Sequence, residues 1–366
     1  MKNLLVAQSG GPSAAINATI TGVIDAGIES GRVGHVYGAL NGIKGVLNEN
    51  FVNLDEVCDT KEKRDLLAIT PAAALGSCRW KLGNPKENAE EFEEIIRILR
   101  KNDIGYFIYT GGNDSMDTVY KLSVYCEEHN IDDIKVMGAP KTIDNDLWGT
   151  DMTFGFQSAV DIATNTIDCI HTTATSHSRI FIVEVMGHKV GWVTLHAGIA
   201  GGADIILIPE IPYDIEVVAE AIRRRTEAGK HFTILAVAEG AISKKDAKLS
   251  KKEYKEKLRN RKYPSIAYAV AEELKERTGQ EIRITVPGHT QRGGSPCPYD
   301  RVLATRLGAA AAELIMTEQY GYMVGIRNGE TTKVPLKEVA GKLKTVQPDS
   351  GIVQEAKITG ISFGDK

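Results

Sequence analysis

Apolar and β-branched residues occur along the chain in short runs, which alternate with longer segments of helical periodicity. Residues 4–8, 106–110 and 135–139 form such runs, and each is typical of a buried parallel strand. Further strands are expected at 179–185, 205–209 and 232–238. Helices are expected near 14–26, 158–171, 214–227, 267–278 and 300–318. Strands that alternate with helices throughout a chain predict a doubly wound α/β fold.

The length of 366 residues predicts about two domains, at roughly 150 residues for each. No change in composition marks a linker, and composition alone would divide the chain near residues 149–153. The 44 Lys and Arg side chains nearly balance the 48 Asp and Glu side chains, and the pI is about 6.1. We therefore expect no nucleic-acid partner.

Nothing in the hydropathy pattern predicts a membrane segment. The first residues fit a strand and lack the flanks of a signal peptide, and no stretch approaches the ~20 apolar residues of a membrane helix. The five cysteines are scattered without the paired spacing of a metal site. We therefore expect a reduced, cytoplasmic protein without a membrane partner.

Glycine pairs follow two of the predicted strands. Ser9-Gly10-Gly11 follows the first strand, and Gly111-Gly112-Asn113-Asp114-Ser115 follows the strand at 106–110. Open α/β sheets bind ligands at the carboxyl ends of their parallel strands. Glycine lets backbone N–H groups approach a phosphate, and a helix that begins near Ser115 would direct its positive end there. One such turn is weak evidence, but two of them predict a phosphate-binding site.

A third loop, Pro140 to Asp146, follows the strand at 135–139 and carries charged side chains. Asp144 and Asp146 are spaced so that one can hold a magnesium ion while the other acts as a general base, which are the two tasks of phosphoryl transfer. Chemistry alone allows either aspartate to be the base. An Asp-Asn-Asp sequence is often only a solvated turn, but beside two phosphate loops it predicts a phosphoryl-transfer enzyme.

The chain resembles the phosphofructokinase family in six motifs that occur in family order and extend to about Arg301. The Gly-Gly-Asp type of loop also occurs in NAD and lipid kinases, which have no use for the last two motifs. The motifs are Ser9-Gly10-Gly11, Gly111 to Ser115, Pro140 to Asp146, Ser176-His177-Ser178-Arg179, Val183-Glu184-Val185-Met186-Gly187 and Gly288 to Pro296.

The resemblance implies two doubly wound, Rossmann-like three-layer domains with the active site in the cleft between them. Residues 1–152 and about 290–343 would bind the phosphoryl donor. Residues 153–289 and about 344–366 would bind the sugar phosphate. In the family, the matches to Arg179 and Arg283 reach into the neighbouring subunit's site, which implies a homodimer or homotetramer.

The resemblance also implies a role for each matched residue. Asp144 would take the proton from the 1-hydroxyl of fructose 6-phosphate, with Thr142 and Lys141 as further catalytic residues, and Mg²⁺ would be the cofactor. The implied donor-binding residues are Gly11, Arg79, Gly112, Asn113, Asp114, Ser115 and Lys141. The implied substrate-binding residues are Thr142, Asp144, Arg179, Met186, Gly187, Glu239, Arg283, His289 and Arg292. The implied metal-binding residues are Asn113, Asp114 and Asp146.

Two positions depart from the family pattern. Asn113 stands where the family usually has an aspartate, which removes a charge but keeps an oxygen for the metal or its waters. His188 stands where bacterial ATP-dependent members have an arginine near the transferred phosphoryl group. Lys141 and Arg79 would then supply more of the positive field.

Asp114 predicts the identity of the donor. Bacterial ATP-dependent members have glycine at this position, where the α-phosphate of ATP passes close to the backbone. Two like charges about 4 Å apart at a dielectric near 20 cost about 4 kcal/mol, which is roughly a thousandfold in affinity. Pyrophosphate ends before this position, and Lys141 would neutralise its leaving phosphate. We therefore expect pyrophosphate as the donor.

An ATP-dependent phosphofructokinase is the second hypothesis, and a non-catalytic regulatory homologue is a distant third. Other sugar phosphates, such as sedoheptulose 7-phosphate, also stay open as substrates. Residues 243–263 carry ten Lys or Arg and three acidic side chains. We expect this basic segment to be a solvated amphipathic helix, although it could guide anionic substrates.

Overall fold

The computed structural model describes all 366 residues, and the chain forms two compact units. Unit 1 comprises Met1–Ser158 and Arg292–Lys344, and unit 2 comprises Ala159–Gln291 and Thr345–Lys366. The strands are β1 (Asn3–Gln8), β2 (Val36–Ala39), β3 (Phe51–Asn53), β4 (Ile104–Gly111), β5 (Lys135–Pro140), β6 (Ile180–Val185), β7 (Ile205–Leu207), β8 (Thr233–Ala238), β9 (Ile282–Thr285), β10 (Tyr322–Arg327) and β11 (Glu330–Pro335).

The α-helices are α1 (Ile16–Ser30), α2 (Ile43–Leu47), α3 (Leu54–Val57), α4 (Lys61–Ile69), α5 (Ala89–Lys101), α6 (Asn113–Glu128), α7 (Phe156–Ser176), α8 (Trp192–Ala200), α9 (Ile215–Glu227), α10 (Lys251–Arg259), α11 (Ile266–Thr278), α12 (Pro298–Met316), α13 (Leu336–Val339) and α14 (Gly351–Ile358). Two short 3₁₀ helices cover Asp246–Lys248 and Gly288–Arg292. No helix is both long and apolar enough to span a membrane.

Unit 1 contains a sheet of seven strands in the order β11-β10-β5-β4-β1-β2-β3. The pairs β1–β2, β1–β4, β4–β5 and β5–β10 are parallel, whereas the outermost pairs at both edges are antiparallel. Successive side chains of β1 point to opposite faces, so Leu4 belongs to one hydrophobic core and Leu5 to another. Helices therefore cover both faces of the sheet, and the carboxyl ends of β1, β4 and β5 meet at one edge.

Helices α1 and α12 pack closely on one face of this sheet, because glycine lies on each of them at the contact. A Cβ atom at Gly308 would overlap the backbone oxygen of Thr19, and one at Gly22 would overlap the backbone oxygen of Thr305. Only glycine allows the two backbones to approach so closely. The contact fixes α1, which directly follows the first phosphate loop.

Unit 2 contains a sheet of four parallel strands in the order β7-β8-β6-β9. Strands β6, β7 and β8 are buried along their whole length, whereas β9 is an edge strand that is only partly buried. The continuous apolar sequence of the inner strands agrees with burial on both faces. Arg283 lies on the edge strand β9.

The predicted α/β class is confirmed, and the strands predicted from the sequence form with shifts of up to two residues at their ends. Helix α6 begins at Asn113, two residues before the predicted start at Ser115. Within the basic segment 243–263, only Lys251–Arg259 form an α-helix, α10, which begins with a capping box between Ser250 and Glu253 and has no buried residue. This helix agrees with the expected solvated surface.

Candidate active site

Three loops of unit 1 are joined by hydrogen bonds at the carboxyl edge of the sheet. The Ser9 backbone N–H donates to the Thr110 carbonyl oxygen (2.9 Å), which joins the ends of β1 and β4. The Gly10 N–H donates to the Cys78 carbonyl oxygen (3.0 Å), and the Ser77 hydroxyl donates to the Gly10 carbonyl oxygen (2.5 Å). The segment that carries Arg79 is thereby attached to the first glycine loop.

Two basic side chains converge on the same glycine loop. A Cβ atom at Gly11 would overlap the Arg292 guanidinium, so glycine is required for this arginine to approach. The Lys141 Nζ atom donates to the Gly11 carbonyl oxygen (2.6 Å). Arg292 and Lys141 are 151 positions apart in the sequence, yet both contact Gly11 in unit 1. The arrangement provides a cradle for an anion.

Lys141 is a buried cation whose charge is costly to maintain. Burial, together with the neighbouring positive charges of Arg292 and Arg79, lowers the pKa of its ammonium group to about 7, although Asp144 and Asp146 oppose the shift. An anionic ligand in the cradle would stabilise the charged form. The side chain is thus suited to hold phosphate groups rather than to form a permanent ion pair.

The amino terminus of α6 completes the cradle on the side of β4. Gly112 precedes the helix, and Asn113, Asp114 and Ser115 form its first turn. The backbone N–H groups of this turn make a suitable site for a phosphate group. Asp114 is 64% exposed and forms an ion pair with Lys81, which is 70% exposed (Nζ to Oδ1, 2.7 Å). The sequence did not predict this partner.

The loop after β5 brings the two aspartates to the same edge of the sheet. The Lys141 N–H donates to the Gly111 carbonyl oxygen (2.8 Å), and the Asp144 N–H donates to the Thr142 hydroxyl oxygen (3.1 Å). Asp144 is partly buried and Asp146 is buried. Burial, followed by the charge of Asp144, raises the pKa of Asp146 to about 6.

This pair of carboxylates is compatible with a magnesium site. The Oδ1 atom of Asp146 is buried and has no hydrogen-bond partner, and the Asn113 side chain lies close enough to lower the Asp146 pKa. No group of three or more His, Cys, Asp or Glu side chains is arranged so that these side chains alone could hold a metal ion. Magnesium in phosphoryl-transfer sites commonly uses one or two carboxylates and takes its other ligands from water and substrate phosphates, so these residues fit it.

In unit 2, Glu239 and Gln291 hold the loop that follows β6. Glu239, directly after β8, accepts hydrogen bonds on Oε1 from the backbone N–H groups of Gly187 (3.2 Å) and His188 (2.7 Å). The buried Gln291 side chain accepts one from the Met186 N–H (3.2 Å). The structure therefore places Glu239 beside the loop that contains Met186 and Gly187. These residues were assigned to the substrate site from two different parts of the sequence.

Two arginines of unit 2 share one carboxylate at the edge of its sheet. Arg179 donates from Nε to Glu281 Oε2 (2.5 Å), and Arg283 forms an ion pair with the other oxygen of Glu281. His289 lies exposed in the following 3₁₀ helix. These three residues belong to unit 2, whereas the fourth implied phosphate ligand, Arg292, belongs to unit 1.

Several residues that support these groups were absent from the sequence-based set. Gln291 lies inside the motif Gly288 to Pro296, so the sequence indicated that its surroundings are functional, but it did not indicate that the Gln291 side chain accepts from the Met186 N–H. The other three, Lys81, Glu281 and Lys344, carry no local sequence signal that separates them from ordinary surface charges.

A doubly wound α/β protein with two glycine loops, a helix amino terminus and paired aspartates at one sheet edge belongs to the class of phosphoryl-transfer enzymes. The family model "Phosphofructokinase" matches residues 3–315. The chain therefore belongs to the phosphofructokinase family, and it has the α/β fold and the phosphofructokinase activity of that family, a reaction of glycolysis.

The names of similar proteins specify two different phosphoryl donors, ATP and pyrophosphate. The chain is 44% identical to an ATP-dependent 6-phosphofructokinase of Spirochaeta thermophila, over 98% of this chain and 97% of that protein. It is 40% identical to a pyrophosphate–fructose 6-phosphate 1-phosphotransferase of Amycolatopsis methanolica, over 94% of this chain and 96% of that protein. The solved pyrophosphate-dependent phosphofructokinase of Nitrosospira multiformis is 28% identical with a TM-score of 0.82, over 96% and 88% of the two chains.

Proposed function

We propose that this phosphofructokinase transfers a phosphoryl group from pyrophosphate to the 1-hydroxyl of fructose 6-phosphate, reversibly, giving fructose 1,6-bisphosphate and phosphate. We infer pyrophosphate as the donor because the Asp114 carboxylate lies in the first turn of α6. Relatives of both donor types exist at similar identity. Overall similarity therefore does not distinguish between the two donors, whereas the residue at position 114 does.

Asp114 and Lys81 together obstruct the route that a longer donor would take. The α-phosphate and nucleoside of ATP would have to pass the first turn of α6, where this ion pair lies. Lys81 partly neutralises the carboxylate, and exposure screens it further. We therefore expect discrimination of about a hundredfold, which is weaker than a bare carboxylate would give.

Pyrophosphate fits the part of the cradle that remains. Its two phosphates can be bound by the backbone of the Gly11 and Gly112 loops, by the α6 amino terminus and by the side chains of Arg79 and Lys141. Lys141 is buried beside Gly11, so its charge acts at low dielectric on the leaving phosphate.

The paired aspartates divide the chemical work. Asp144, which is partly buried, accepts the proton of the attacking 1-hydroxyl as general base, and Thr142 and Lys141 lie on the same loop. Asp146 and Asn113 would hold Mg²⁺, which neutralises charge on the transferring phosphoryl group when bound. Asp114 is the weakest of the nominated metal ligands, because it already pairs with Lys81.

The sugar phosphate would be bound mainly by unit 2. Arg179, Arg283 and His289 would bind the 6-phosphate together with Arg292. Glu239 uses Oε1 for the backbone of residues 187 and 188, which leaves its other oxygen to accept from a sugar hydroxyl. Arg179 directly precedes the inner strand β6, Arg283 lies exposed on the edge strand β9, and both pair with Glu281 at the amino end of these strands, whereas Met186, Gly187 and Glu239 follow the carboxyl ends of β6 and β8. This separation within unit 2 supports the proposal that the two arginines complete the site of a partner subunit in a homodimer or homotetramer.

A comparison of donors tests this function. With fructose 6-phosphate and Mg²⁺, kcat/KM for pyrophosphate should exceed that for ATP by about a hundredfold. Asp114→Ala should raise kcat/KM for ATP at least about tenfold. Asp117→Ala is the matched control, because Asp117 forms an ion pair with Lys121 on the same helix (2.8 Å). This control should leave both donors nearly unchanged. A wild-type enzyme that prefers ATP would refute the proposal and favour the ATP-dependent alternative.

A further inference from the structure

Lys344, the last residue of unit 1, is hydrogen-bonded to the loop that carries both aspartates. Its Nζ atom donates to Asn145 Oδ1 (2.8 Å) and to the carbonyl oxygens of Thr150 (2.9 Å) and Asp151 (2.8 Å). Its backbone N–H donates to the carbonyl oxygen of Asp146 (2.8 Å). Lys344 follows Asn145 by 199 positions, so a distant segment closes the loop at several points.

The three Nζ contacts explain why a cation is kept in this partly buried position. Transfer of an ammonium group out of water is costly unless its protons are accepted. Lysine has three such protons, and each of them has an oxygen acceptor on the loop. The side chain therefore acts as a three-way clamp on the loop.

Asn145, which the clamp contacts, is the residue between the two aspartates. Its φ angle is +53°, in the left-handed region that glycine adopts readily, asparagine and aspartate adopt occasionally, and other residues rarely adopt. Its buried Oδ1 atom accepts from Lys344 and from the Thr153 N–H (3.0 Å). A relaxation of φ at this position would rotate the peptide units that carry Asp144 and Asp146 relative to each other.

A second contact extends this network to the start of the loop. The Thr153 hydroxyl donates to the carbonyl oxygen of Thr142 (2.7 Å). The chain from Lys344 through Asn145 and Thr153 to Thr142 therefore fixes the loop on both sides of Asp144. Positions of catalytic groups must be held to within about 0.5 Å to be effective.

We propose that Lys344 is a positioning residue for phosphoryl transfer, which holds Asn145 in its left-handed conformation and thereby fixes the general base Asp144 relative to the metal ligand Asp146. The inference depends on the proposed roles of the two aspartates. It does not depend on whether the donor is pyrophosphate or ATP, because the cradle residues are not part of this network.

Lys344→Met tests the proposal, because it keeps the aliphatic length and removes the donors. We expect kcat to fall at least about tenfold with KM for fructose 6-phosphate nearly unchanged, since only the transition state requires the fixed loop. The half-saturating Mg²⁺ concentration should rise severalfold. Lys135→Met is the matched control, because Lys135 is a partly buried lysine of unit 1 that lies 3.6 Å from Glu318. It should lose stability without losing kcat.

Asn145→Gly provides a second variant that is informative even if Lys344→Met does not fold. Glycine tolerates the left-handed φ but lacks the side chain that Lys344 holds, so kcat should also fall at least about tenfold. In the double variant the losses should not add, because both substitutions break the same contact.

The proposal is overturned if folded Lys344→Met keeps kcat within about twofold of wild type, if Lys135→Met loses as much kcat, or if the two losses simply multiply. Asp144→Ser separates this inference from the proposed roles. If that variant keeps turnover within about tenfold of wild type, Asp144 is not the base, whatever Lys344→Met does.

Discussion

At the scale of single residues, the charge of Lys141 makes donor use sensitive to pH. Burial and the nearby arginines lower its pKa to about 7 in the free enzyme. The group is charged below that pH and neutral above it. Since the charged form binds phosphate, we expect kcat/KM for pyrophosphate to fall as pH rises from about 7 to about 9, by up to about tenfold per unit.

Lys141→Met serves as the reference for this measurement, because methionine has a similar length and does not titrate. When kcat/KM of the wild type is divided by kcat/KM of the variant, the pH effects that come from the ionisation of pyrophosphate and of other residues cancel. This ratio should be large near pH 6 and should shrink above about pH 7. A ratio that is constant across the range would show that Lys141 keeps its charge in the free enzyme.

The sequence identified the groups that lie within continuous motifs, and the reason is local geometry. A glycine pair after a strand and two aspartates in one loop are placed together by a few residues of backbone. Lys81 and Lys344 reach their partners only through the tertiary fold, and so does Glu281 in its contact with Arg179, although its other partner, Arg283, is only two residues away. No pattern of neighbouring residues distinguishes them from other surface charges, so they could not have been found.

At the scale of elements, the packing of α1 on α12 predicts a sensitive position at Gly308. A Cβ atom there would overlap the backbone oxygen of Thr19, and a backbone atom cannot move aside without separating the helices. Gly308→Ala should therefore lower the free energy of unfolding by about 1–3 kcal/mol, despite the higher helix propensity of alanine.

Gly351→Ala is the matched control for this substitution. Gly351 begins α14, and a Cβ atom there would meet nothing closer than Glu355 Oε1, at 3.8 Å. The control should be neutral or stabilising by up to about 1 kcal/mol. Denaturant unfolding of both variants measures the difference. Equal stability of Gly308→Ala and wild type would show that α1 and α12 are not closely packed at this position.

The strength of the apolar pattern explains why β1, β4 and β5 were predicted from the sequence and why β3 and β11 were not. Strands β1, β4 and β5 are long and buried on both faces, so their sequences are nearly continuous in apolar residues. Strands β3 and β11 lie at the edges of the sheet and are mostly exposed or only partly buried. The short edge strand β3 and the polar β11 lack the periodicity that marks a buried strand.

At the scale of the whole molecule, the proposed shared site predicts complementation between two variants that are each impaired at a fructose 6-phosphate concentration near the wild-type KM. Arg179→Ala should raise KM for fructose 6-phosphate about tenfold to a hundredfold, because a charge-assisted hydrogen bond to phosphate contributes about 1.5–3 kcal/mol. KM for pyrophosphate should be unaffected. If Arg179 acts across an interface, a dimer of Arg179→Ala and Asp144→Ser subunits has one intact site.

Co-assembled mixed dimers should therefore recover about half of the wild-type activity. Each variant alone, assembled under the same conditions, is the control. Mixed dimers of verified composition without any recovery would show that Arg179 serves its own subunit. The enzyme could then still be oligomeric, but its sugar-phosphate site would be complete within one chain.

The most direct test of the central claim is the reverse reaction, followed by phosphorus NMR. The wild-type enzyme is incubated with fructose 1,6-bisphosphate, inorganic phosphate and Mg²⁺, without any nucleotide. A pyrophosphate-dependent enzyme exchanges one phosphoanhydride bond for one phosphate ester, so the signals of pyrophosphate and fructose 6-phosphate should appear. If pyrophosphate does not form, and ATP forms when ADP replaces phosphate, the enzyme uses ATP and Asp114 does not exclude the α-phosphate of a nucleotide.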